Sequence, residues 1–139
     1  SADCETDPVT QGCIDVLNYV GDQMEVMLNT MYAKSPNNCA WLGYYHVINT
    51  QAEKNEAIDY AYTWIYPGIF PSTFTNGSYS KPALFLGGTK FKALFLDSRP
   101  YMTMTSADIK SDNIHPTTAG SQKLTNLIWD AMVKGSMYR

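Results

Sequence analysis

Two side chains in this sequence, His46 and His115, are available to exchange a proton near neutral pH. Their settings differ. His46 lies in Tyr44-Tyr45-His46-Val47, within a compact apolar and aromatic run, where an imidazole belongs to the packing. His115 stands in Ser111-Asp112-Asn113-Ile114-His115-Pro116-Thr117-Thr118-Ala119-Gly120. Pro116 suits the first turn of a helix, where its missing N–H is not needed. It also turns His115 away from helical angles, so the imidazole projects from a rigid corner. Asp112, three residues back across a turn, can reach one ring nitrogen, which fixes the tautomer and leaves the other nitrogen as a base. That is the chemistry of a general base acting on a hydroxyl nucleophile. The same spacing also describes a helix cap beside a surface histidine. As a pair of metal ligands it is incomplete, because no further His, Cys or carboxylate cluster joins it, so no metal and no other cofactor is expected.

The spacing of apolar residues predicts the frame around this corner. From Ile14 to Lys34, Leu17, Val20, Met24, Met27, Leu28 and Met31 recur at helical spacing, and Ser35-Pro36-Asn37-Asn38 ends the pattern. Cys39–Val47 is short and apolar enough for a buried strand. Thr50 with Glu53 forms a capping box for a helix carrying Ala57, Ile58, Ala61, Tyr62 and Ile65, expected to end before Pro67-Gly68. Phe91–Leu96 reads as a second buried strand. Leu124, Leu127, Ile128, Ala131 and Met132 mark a last helix. This α/β order predicts parallel pairing. Two parallel strands cannot hide both faces and both edges of a sheet, so strands from another polypeptide are expected, with Ala83–Leu86 the alternative source.

Residues 1–139 make one domain. Charged residues are 17% of the chain and the net charge is −3, with no basic run, which argues against nucleic-acid binding. No apolar run approaches the ~20 residues that span a bilayer. Cys4 and Cys13 can close a short turn-rich loop, while Cys39 is a buried thiol or pairs outside the chain. Asn76-Gly77-Ser78 is a glycosylation sequon in a polar loop. Sequon and disulfide together point to a secreted protein. The start at Ser1, without Met or a signal-peptide pattern, reads as processing or cutting.

Asp112-Asn113-Ile114-His115-Pro116-Thr117, followed by Ala119-Gly120 and a C-terminal helix, resembles the last motif block of the SGNH (GDSL-type) serine esterases and lipases. The strand Phe91–Leu96 ending in Asp97 agrees with that family's layout. The resemblance implies a flavodoxin-like three-layer α/β/α sandwich on a parallel sheet, of which this chain supplies the C-terminal part. It also implies that His115 is the base of a Ser-His-Asp triad and Asp112 its orienting acid.

The chain departs from the family pattern elsewhere. No Gly-Asp-Ser nucleophile motif occurs, and the oxyanion glycine of the second block has no counterpart. The Gly-x-Asn-Asp block would fall at Ser1-Ala2-Asp3-Cys4, placing Ala2 or Asp3 in the position of the oxyanion Asn. Neither donates as Asn does, and loss of one such donor costs ~100- to 1000-fold in rate. Two accounts follow. In one, an N-terminal chain of the same precursor carries the Ser, and together the chains hydrolyse carboxylic esters. In the other, the chain is an inactive relative that binds carbohydrate or lipid. Under the first, the loop Ile69–Leu86, with Phe70, Phe74 and Tyr79, lines an acyl or sugar pocket; the same aromatics also suit ordinary packing. Ser1 acting through its own amine has no base to serve it.

Overall fold

The structure is a computed structural model that describes residues 4–6, 8–34, 39–48, 52–69, 83–84 and 92–134. Helix α1 (Gln11–Lys34) starts three residues before the apolar period does. Thr10 is the cause: its hydroxyl accepts from the Cys13 amide at 3.2 Å and its carbonyl takes the Ile14 N–H. Cys13 is bonded to Cys4, as the spacing allowed, and this ties the segment before α1 to its first turn.

Strand β1 (Cys39–Leu42) is shorter than the expected Cys39–Val47, and irregular chain follows it through Ile48. Helix α2 (Ala52–Tyr60) has Glu53 in its first turn, while Thr50 lies outside the described residues. The helical path then continues where a break was expected. A π turn over Ala61–Ile65 leads into α3 (Tyr66–Ile69), so Pro67 and Gly68 sit inside the helical run. Proline cannot donate to the carbonyl one turn back. The turn just before it widens, and the Tyr66 N–H bonds to the Ala61 carbonyl five residues away. Burial of Ile65 and Ile69 against Met24 and Leu28 of α1 keeps the run together.

Strand β2 (Ala83–Leu84) and strand β3 (Lys92–Leu96) complete one sheet in the order β1-β3-β2. β1 pairs parallel to β3, Cys39 opposite Ala93 and Leu42 opposite Leu96; β2 pairs antiparallel to β3. A 3₁₀ turn, Arg99–Tyr101, and helix α4 (Thr118–Lys134) follow.

The expected three-layer sandwich on a parallel sheet is therefore corrected. Among the described residues helix far outweighs strand, and the parallel part of the sheet is one pair of short strands. The third strand comes from within the chain, at Ala83–Leu84, and runs the other way. Phe95 packs into the cluster of α1, the π turn and α3, with Tyr62 and Tyr66 on its ring. Its neighbour Leu96 points oppositely, onto Leu127 and Ala131 of α4. Gly43, just past β1, sits where a Cβ would collide with Tyr62 and Phe95, so only glycine lets the strand end approach this core.

The α1 period is broader than the face that packs. Met24 and Leu28 are buried and Leu17 partly so, whereas Val20, Met27 and Met31 are exposed. Those three lie on an arc beside the buried one, and a single neighbouring layer covers only part of an apolar arc that wide. In α4, by contrast, Leu124, Leu127, Ile128 and Ala131 all reach a core cluster.

Candidate active site

The corner that carries His115 is held from below by Asp108. This carboxylate is buried and accepts from the Thr103 amide and hydroxyl and from the Lys123 ammonium of α4. Burial pushes its pKa up, but the ammonium and the two Thr103 donors outweigh that and hold it below the ordinary carboxylate value. Around it the backbone closes a small bridged loop. Ile109 pairs with Pro116, the Lys110 amide bonds the His115 carbonyl at 2.8 Å, and the Thr117 amide bonds the Asp108 carbonyl at 2.7 Å.

Helix α4 begins two residues later than its proline suggested. Thr117 is the cap: its Oγ1 accepts from the Gly120 amide at 3.1 Å and donates to the Ala107 carbonyl at 2.8 Å. Pro116 thus precedes the helix and belongs to the bridge. Gly120 presses against the Asp108 carbonyl oxygen, in the space any Cβ would occupy.

On this base Asp112 and His115 come together as expected. Asp112 Oδ2 meets His115 Nδ1 at 2.8 Å, and Oδ1 accepts the backbone amides of Ile114 and His115, both at 2.9 Å. Those amides and the imidazole lower the Asp112 pKa to about 2. Asn113 makes the tight reversal possible by adopting φ 66°, a left-handed angle that Asn tolerates better than most residues. From the far side the Tyr45 hydroxyl donates to the Ile114 carbonyl at 2.9 Å, and burial raises this phenol's pKa to about 12, so it remains a donor. The His115 side chain is 69% exposed, and its Nε2 bonds to no other described residue. The pair can take a proton from an incoming hydroxyl and hold the resulting imidazolium.

His46 also has a carboxylate partner, which the spacing of its neighbours did not reveal. Its Nε2 lies 2.7 Å from Asp59 Oδ1 across the end of α2. Asp59 divides its charge between His46 and Arg99, whose Nη1 is equally close, and Arg99 also pairs with buried Asp97 while stacking on the Tyr62 ring. Among the described residues, the one side chain that Asp112 bonds is that of His115. The hydroxyl of Ser98 is fully buried and donates to the Gly43 carbonyl, so it holds structure and is closed to substrate.

Phe70, Phe74 and Tyr79, assigned to a substrate pocket, and Asp3, assigned to the oxyanion position, lie outside the described residues, as does the Asn76 sequon. Among the described residues no three His, Cys, Asp or Glu converge as a metal site would require, and no helix is long and apolar enough to cross a membrane. Comparison of the chain with protein-family models, with curated proteins and with solved structures finds no match.

Proposed function

We propose that this chain supplies the His and Asp of a secreted SGNH-type serine ester hydrolase, and that an N-terminal chain of the same precursor supplies the Ser. The reading rests on one observation above all. Asp112 spends one oxygen on two backbone amides and the other on His115 Nδ1, which leaves Nε2 open at a braced corner. The motif Asp112–Gly120 supports the family reading, and the Cys4–Cys13 bond suits an oxidising compartment.

In this mechanism the Ser oxygen attacks an ester carbonyl while His115 Nε2 takes its proton. The same nitrogen returns the proton to the leaving alcohol. Water, deprotonated in turn by His115, then releases the acid and frees the Ser. Asp112 keeps the tautomer with hydrogen on Nδ1 and stabilises the imidazolium between these steps. The oxyanion donors belong to the Ser-bearing chain.

The test is His115→Ala in the assembled protein, assayed with a nitrophenyl ester and with a fluorophosphonate label on the partner Ser. Turnover and labelling should vanish while the far-ultraviolet circular dichroism is unchanged. Unchanged turnover would refute the assignment. Intact-mass analysis of the native protein should reveal a second chain with a Gly-Asp-Ser motif; a lone 15.6 kDa species without esterase activity would favour a binding module instead.

A further inference from the structure

A second feature, remote in sequence from the His115 corner, has the chemistry of a binding site. Between the segment before α1 and the outer side of α2 lies a hollow of about 340 Å³, within the size range of small-ligand pockets. One wall is apolar, made by Pro8 and Val9. The opposite wall is a helical stripe with Glu56, Tyr60 and Trp64 four residues apart, and Asp59 beside them.

The two rings are 6.5 Å apart between centroids and tilted by 44°, forming an open V, and Trp64 is 68% exposed. An indole left so exposed beside a hollow offers a π face that the fold itself does not use. The electrostatics of the hollow have one sign. Among the described residues no Lys or Arg lines it. Asp59 is paired from behind with Arg99 and His46, and Arg99 is shared with Asp97, so among the described residues Glu56 is the carboxylate of the lining left without a cation. Glu56 has no hydrogen-bond or ion-pair partner among the described residues.

Aromatic faces, an apolar wall and unbalanced negative charge together match one chemical class. A negative carboxylate lining repels anions. A neutral sugar could use the hydroxyls of Tyr60 and Thr63 and the carboxylates, but it draws no net attraction from their charge. A methylated ammonium group fits all three features: its charge meets the π faces and Glu56, and its methyl groups pack on Pro8 and Val9. We propose that this hollow binds the trimethylammonium head of a choline-like organic cation, with Trp64 and Glu56 as its main contacts.

The wall is also tethered. The Cys4–Cys13 bond and the Glu5–Lys54 ion pair, 3.0 Å, hold the Pro8-Val9 segment against α2. Closing the site therefore depends on the disulfide.

The proposal stands independently of ester hydrolysis, and its test does not read activity. Choline is titrated into the intact protein while tryptophan fluorescence and amide shifts are followed by spectroscopy. Saturable binding is expected, with the largest shifts at Glu56–Trp64. Trp64→Ala and Glu56→Gln should each weaken it roughly ten-fold, reduction of the disulfide should weaken it as well, and His115→Ala should leave it unchanged. The uncharged isostere 3,3-dimethylbutanol should bind at least ten-fold less tightly than choline, as the cation–π contribution requires. No saturable choline binding would overturn the proposal. So would equal binding of the isostere, tighter binding of a methyl glycoside, or choline binding that survives both substitutions.

Discussion

Asp112 is bound three times, twice by amides of its own loop and once by the ring it orients. Because its folded pKa, about 2, lies below the ordinary carboxylate value, the stabilisation it gives the corner is complete above about pH 4 and fades as pH falls through about 2. The Asp112 carboxyl carbon, followed by nuclear magnetic resonance, should titrate with a midpoint near 2; a midpoint at the ordinary value would mean that the amide cradle does not form in solution. Under the proposed ester hydrolysis, any fall in turnover on mild acidification then belongs to a group other than Asp112. Asp112→Asn keeps the shape but removes the charge and favours the wrong tautomer, so kcat should fall by roughly 10⁴. His46→Ala offers the contrast, since its partner carboxylate also serves Arg99. Turnover should stay close to that of the unmodified protein.

The loop that presents these residues depends on how α4 begins. Thr117 caps the helix with one hydroxyl and reaches back to Ala107 with the same atom. Thr117→Ala should lower the unfolding free energy by about 1 kcal/mol, read from the urea midpoint. Gly120→Ala is more severe in kind, because its Cβ would meet the Asp108 carbonyl, a backbone atom that cannot rotate away. A loss of ~1–3 kcal/mol is expected, together with reduced turnover as the corner shifts. Tyr45→Phe removes the donor to the Ile114 carbonyl and should cost about 1 kcal/mol, with a rise in amide exchange confined to Asp112–His115.

At the level of the whole molecule, the described residues form three core clusters on the two sides of a narrow sheet, with the N-terminal segment fastened to the outside by covalent and ionic ties. The cystine encloses a short loop, Cys4 and Cys13 being 9 residues apart. Chain-entropy arguments assign a loop of that size about 2–3 kcal/mol. Replacing both cysteines by Ser should lower stability by that amount in urea denaturation. The corner at Asp112 and His115 should keep its chemical shifts.

Local order determined much of this. The helical period in α4, the strand at Lys92–Leu96, the pairing of Cys4 with Cys13 and the meeting of Asp112 with His115 were all legible, because each depends on residues a few positions apart. What the sequence did not disclose depends on distant partners. Helix continues through Pro67 because Ile65 and Ile69 find α1, and Thr117 rather than Pro116 opens α4 because Ala107 and Asp108 lie beneath it. Asp59 meets both His46 and Arg99, 13 and 40 residues away, and no periodicity encodes that. The narrow mixed sheet belongs to the same class. Strand pairing is a choice among edges distant in the chain, so only the folded molecule decided that Ala83–Leu84 would lie antiparallel on β3 and that the layered parallel sandwich would not form.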